Sequence, residues 1–127
     1  MHRRPKILLI DDDIDFVQAT NKVLTSKPWE VIVAFNGEDG LQKARKEEPD
    51  LILLDIMMPV KDGFVVAEEF GKDPSLSKIP VLALTTFSVS LGWPFPFEVA
   101  EYLNKPIRPK ELLDKIEKHL TMIGFGM

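Results

Sequence analysis

The feature that most constrains this chain is a set of short apolar runs separated by stretches of helical periodicity. "KILLI" (6–10), "DLILLD" (50–55) and "IPVLALT" (79–85) carry apolar residues at successive positions, and "WEVIVAF" (29–35) and "EYLN" (101–104) also have the length of strands. A strand apolar on both faces must be covered on both, which is the condition of a parallel strand flanked by helices. Between the runs, Phe16 and Val17 recur as Val23 and Leu24, Leu41 and Ala44 precede the breaker Pro49, and Phe64, Ala67 and Phe70 share a face. Leu112, Leu113, Ile116, Leu120 and Ile123 form the longest stripe, entered through Pro109, which a first helical turn tolerates. Strands alternating with helices predict right-handed βαβ units and one doubly wound parallel sheet, an α/β fold with helices on both faces.

In such a sheet ligands bind beyond the carboxyl ends of the strands. The first strand ends in Asp11 and Asp12, the third in Asp55, the fourth in Thr85 and the fifth in Lys105, so one rim receives carboxylates, a hydroxyl and an ammonium. Three consecutive aspartates, Asp11 to Asp13, repel one another unless a cation sits among them. Hard oxygen ligands with few direct carboxylates suit Mg²⁺. Asp11 and Asp12 are therefore expected to hold the metal, and Asp55 to bind it and act as a nucleophile toward a phosphoryl group. The Thr85 hydroxyl and the Lys105 ammonium would meet the charge on the transferring oxygens. Asp13 and Asp15 read as helix-capping residues, and Asp62–Gly63 as a turn. His2 and His119 show no partner in the sequence.

Composition excludes other classes. The chain has 127 residues, enough for one domain, and no cysteine, so neither a disulfide framework nor a thiolate metal site is possible. A net charge of −4 argues against direct nucleic-acid binding. "ILLI" after the basic start is too short for an export signal or a membrane span, so a cytoplasmic protein with no membrane partner is expected. The organisation reads as a single domain over 1–127, its core about 6–121, with "TMIGFGM" too short to be an output domain.

"ILLIDDD", "LILLDIMMPVKDG", "VLALTT" and "YLNKPI", in that order, resemble the receiver domains of bacterial two-component response regulators. The resemblance covers Lys6 to about Leu120 except 86–100. It implies a flavodoxin-like five-stranded sheet of order 2-1-3-4-5 and a cis bond between Lys105 and Pro106. It makes Asp55 the phosphoacceptor, Asp12 a direct Mg²⁺ ligand, Asp11 a ligand through water, and the Met57 backbone carbonyl a further one, with Mn²⁺ able to substitute. Thr85 and Lys105 would contact the phosphoryl group, and Tyr102 would move with Thr85 as a switch. The donor would be a sensor histidine kinase or a phosphotransfer protein. The output would be a downstream protein or a self-dimer, bound through the fourth strand, fifth strand and last helix. Such a chain catalyses only its own phosphorylation and slow autodephosphorylation and is not a turnover enzyme. Two other readings stand beside this one: an aspartate-nucleophile phosphatase, and a receiver-like binding module that works without phosphorylation.

Two departures from the family pattern carry expectations of their own. In "TFSVSLGWPFPFEVA" (86–100), Gly92, Pro94 and Pro96 oppose the helix that receivers usually place between the fourth and fifth strands. A shortened or missing fourth helix is expected, with Trp93, Phe95 and Phe97 either plugging the gap or forming a docking patch. Met57 and Phe87 stand two residues beyond Asp55 and Thr85, positions that tune the lifetime of the phosphorylated form in receivers. Both are apolar, which predicts slow decay.

Overall fold

The computed structural model describes residues 3–56, 63–86 and 99–126. The elements are β1 (Lys6–Ile10), α1 (Ile14–Leu24), β2 (Glu30–Ala34), α2 (Gly37–Glu47), β3 (Leu51–Asp55), α3 (Gly63–Lys72), β4 (Val81–Thr85), β5 (Glu101–Asn104) and α4 (Pro109–Met122). The strands form one sheet of order β2-β1-β3-β4-β5, with every neighbouring pair parallel. This is the parallel α/β architecture expected from the periodicity and the strand order that the resemblance implies.

The apolar runs sort by parity. Leu8, Ile10, Ile52, Leu54 and Ala83 join one core with residues of α2 and α3, among them Leu41, Ala44, Val66 and Phe70. Ile7, Leu9, Leu53, Leu82 and Leu84 join the other with Val17 and Leu24 of α1 and Leu112, Ile116 and Leu120 of α4. Successive side chains of a strand point to opposite faces, so an unbroken apolar run supplies both cores at once. Each fully buried leucine or isoleucine contributes about 1.5–3 kcal/mol relative to exposure.

Local signals set the helix ends. The Asp13 carboxylate accepts the Phe16 amide at 3.1 Å and caps α1, as expected, and Asn36 caps α2 by accepting from the Asp39 amide at 2.8 Å. α2 stops at Glu48, whose φ of 49° is left-handed, immediately before Pro49. β4 begins two residues later than its apolar run because Pro80 has no N–H to give the ladder, although its carbonyl accepts from Ile52 N at 3.0 Å. Arg3 closes the lower end, with its two terminal guanidinium nitrogens each donating to an Asp50 carboxylate oxygen at 2.6 Å and the guanidinium over the Phe125 ring.

Among the described residues there are four helices. The atypical helix expected between β4 and β5, and with it the choice between plug and docking patch, falls on 87–98, outside the described residues. Met57, Phe87 and Asp62 also lie outside them.

Candidate functional site

The parallel order brings four strand ends to one rim. Asp11 and Asp12 follow β1, Asp55 is the last residue of β3, Thr85 the last of β4, and Lys105 follows β5. The amide of Lys105 donates to the Thr85 carbonyl at 2.8 Å, tying the last two together, and the Lys105–Pro106 peptide is cis. Asp11 and Thr85 are fully buried and Asp55 is 5% exposed, whereas Asp12 faces solvent. One carboxylate oxygen from each of Asp11, Asp12 and Asp55 lies within 4.8 Å of the others.

Both oxygens of Asp11 are engaged, Oδ1 by the Asp13 amide at 3.0 Å and Oδ2 by Lys105 Nζ at 2.7 Å. The same ammonium is 3.8 Å from Asp55 Oδ2. Among the described residues, three carboxylates meet one ammonium here, two formal negative charges in excess. At an effective dielectric near 20, each carboxylate pair at this range repels by about 3–4 kcal/mol. The deficit matches a divalent cation, and an all-oxygen donor set selects a hard one.

Thr85 and Tyr102 share a sheet face. Tyr102 pairs in register with Ala83, two residues before Thr85, and its half-buried ring packs on the core formed with α2 and α3. Burial pushes its phenol above the ordinary tyrosine range.

Two contacts were not legible in the sequence. Phe16, which reads only as a core-facing residue of α1, places its ring centroid 4.0 Å from Lys105 Nζ. The one available signal was its position a single turn beyond the rim carboxylates. His119, which shows no sequence partner, is buried, and its Nε2 lies 3.1 Å from Glu101 Oε2. Glu101 also takes Lys115 at 2.9 Å and Lys118 at 3.6 Å. Burial pushes the Glu101 carboxyl up, but the bonds from Lys115 and His119 and the charges of Lys115 and Lys118 outweigh it, leaving it below its ordinary value. A groove of about 430 Å³ runs beside the rim between α1 and α4, lined largely by apolar groups such as Phe16, Val23, Ile107 and Leu112.

Comparison with known proteins gives a consistent result. The model of the response regulator receiver domain family matches residues 7–117. Protein PilH of Pseudomonas aeruginosa is 34% identical over 118 residues, covering 91% of this chain and 98% of PilH. The structure of chemotaxis protein CheY4 of Vibrio cholerae superposes with a TM-score of 0.80 at 28% identity, covering 91% of this chain and 98% of CheY4. The receiver domain of sensor histidine kinase PA1611 from Pseudomonas aeruginosa, solved with a magnesium ion coordinated in its active site cleft, shares the fold with a TM-score of 0.84 at 24% identity, covering 94% and 99%. The chain spans about half the length of the transcriptional regulators among its curated relatives.

Proposed function

The chain belongs to the response regulator receiver family and is a phosphorylation-dependent signalling module; we propose that Asp55 is the residue that accepts the phosphoryl group. The observation that carries this reading is the convergence of three carboxylates and one ammonium on the rim at which Asp55 ends β3. Asp55 is 5% exposed, offers an oxygen within 4.8 Å of one from Asp11 and one from Asp12, and lies 3.8 Å from the Lys105 ammonium. A carboxylate so placed can attack phosphorus while a cation beside it and the ammonium meet the charge of the phosphoryl oxygens.

Receiver domains work with Mg²⁺, and the residues here fit it, because Asp11, Asp12 and Asp55 offer only oxygens and converge within 4.8 Å. Asp12 and Asp55 would bind the ion directly and Asp11 through water, with the Met57 carbonyl completing the set. Mn²⁺ fits the same oxygens. The bound cation supplies the charge that lets an anionic phosphoryl group approach an anionic carboxylate.

A sensor histidine kinase or a phosphotransfer protein presents phosphohistidine. An Asp55 carboxylate oxygen attacks phosphorus, the O–P bond forms as the P–N bond breaks, and the electron pair leaves with the imidazole, which takes a proton from water. The product is an acyl phosphate. Lys105 turns from Asp11 toward an equatorial phosphoryl oxygen, and the Thr85 hydroxyl donates to another. Tyr102, on the same sheet face as Thr85, follows it inward. That movement biases the surface of β4, β5 and α4, which binds a downstream protein or a second copy of the chain. The chain catalyses its own phosphorylation and slow dephosphorylation without turning over a separate substrate.

Incubation with radiolabelled acetyl phosphate and Mg²⁺, followed by mapping of the label, tests this. Label on Asp55 that disappears in Asp55→Asn supports the reading. Label on Asp11 would favour an aspartate-nucleophile phosphatase. A wild-type protein that takes no label would favour a module that works by binding alone.

A further inference from the structure

We infer that Phe16 is a positioning residue for Lys105, its ring face holding the ammonium over the acidic rim while leaving it free to travel between Asp11 and the phosphoryl group on Asp55. The inference rests on Asp55 being the phosphoacceptor. Lys105 Nζ is enclosed by the Asp11 carboxylate at 2.7 Å, the Asp55 carboxylate at 3.8 Å and the Phe16 ring at 4.0 Å from its centroid. The ring lies well inside the range at which an aromatic face attracts a cation, and the Lys105 side chain is only 15% exposed, so water competes weakly for the ammonium.

The choice of an aromatic group has a chemical reason. A third carboxylate in this place would hold the ammonium by a directed hydrogen bond and would repel the incoming phosphoryl group. An aliphatic side chain would cover the ammonium without attracting it. A π face attracts a cation over a broad area and takes none of its three N–H donors, so all three stay available to oxygen acceptors. Lys105 can therefore move from one carboxylate to the phosphoryl group without leaving a favourable surface.

Phe16 is itself anchored. Its amide donates to the Asp13 carboxylate at 3.1 Å, and its side chain packs against the core shared by α1 and α4. The last of the three consecutive aspartates thus fixes the backbone of the residue that faces Lys105. This gives Asp13 a part in the site beyond closing the helix.

Initial rates of Asp55 phosphorylation by acetyl phosphate at saturating Mg²⁺, in wild type, Phe16→Leu and Phe16→Tyr, test the inference. They are paired with the proton chemical shift of the Lys105 ε-methylene, which a ring face moves upfield. Phe16→Leu is expected to slow phosphorylation by about three- to tenfold and abolish the upfield shift. Phe16→Tyr is expected to keep both near wild type, and a Lys105→Met background to erase the rate effect of Phe16→Leu. A Phe16→Leu protein that is phosphorylated at the wild-type rate overturns the inference alone. So does a rate loss that persists in the Lys105→Met background, or one equally large in Phe16→Tyr, since either would mark ordinary packing. A wild-type protein that takes no label at Asp55 overturns the phosphoacceptor reading and this inference together.

Discussion

Lys105 Nζ rests 2.7 Å from Asp11 Oδ2, on a carboxylate that is fully buried and reached from 94 residues away in the chain. The ammonium is what makes burial of that carboxylate tolerable, because an unpaired buried charge is far costlier than a paired one. Lys105→Ala is therefore expected to lower stability by about 3 kcal/mol without Mg²⁺. In wild type, Mg²⁺ at ten times its dissociation constant should add about 1.4 kcal/mol, and in Lys105→Ala it should add more, since the cation takes over the lost partner's charge. Thermal melts of both proteins with and without Mg²⁺ decide it; an equal Mg²⁺ increment in the two would contradict the pairing.

Glu101 gives a pH dependence with a definite sign. Its folded carboxyl lies below the ordinary value of 4.5, so the unfolded chain binds the proton more readily. The resulting stability is present at neutral pH and is lost as pH falls below about 4.5 toward the lower folded value. The melting temperature of Glu101→Gln should fall short of wild type at pH 7, and the gap should shrink on acidification. A gap that stays constant down to pH 3 would show that the stability Glu101 contributes is not carried by its charge.

Gly40 lets α2 pack tightly on Ile10 of β1. A Cβ added there would stand 2.5 Å from Ile10 Cδ1 and 2.9 Å from Ile10 Cγ1, inside any permissible carbon contact. Gly40→Ala should destabilise by about 1–3 kcal/mol through overpacking. Ile10→Val removes the nearer atom, so Gly40→Ala should cost less in that background than in wild type. Denaturant titration of the two single variants and the double variant measures the coupling.

Met57 and Phe87 bear on the lifetime of the phosphorylated form. Neither side chain can hydrogen-bond a hydrolytic water strongly at the positions two beyond Asp55 and Thr85. The acyl phosphate should decay slowly, and Met57→Asn should shorten its life several-fold. Loss of radiolabel from purified phosphorylated protein in Mg²⁺ gives the rate directly, and a wild-type half-life of seconds would contradict the expectation.

Legibility differed between the parts of the molecule. The strands were readable because each apolar run feeds two cores and is closed by a turn residue or a carboxylate, and the cap of α1 was readable from Asp13 alone. The beginnings of β2 and β4 were not, since Trp29, Ile79 and Pro80 are apolar yet precede the strands. His119 shows no partner in the sequence because Glu101, which it meets in the fold, is 18 positions earlier and on a different element.

What the chain's local order determined by itself was the alternation of buried strands with amphipathic helices and the placing of acids, a threonine and a lysine at strand ends. These follow from periodicities of two and 3.6, which are properties of neighbouring residues. Only the tertiary structure decided that Lys105 hydrogen-bonds Asp11 while standing 3.8 Å from Asp55, that its ammonium lies over the Phe16 ring, and that His119 meets Glu101. Such contacts depend on the relative stagger of strands and the rotation of helices about their axes, and these are set by the packing of the whole sheet and its two cores.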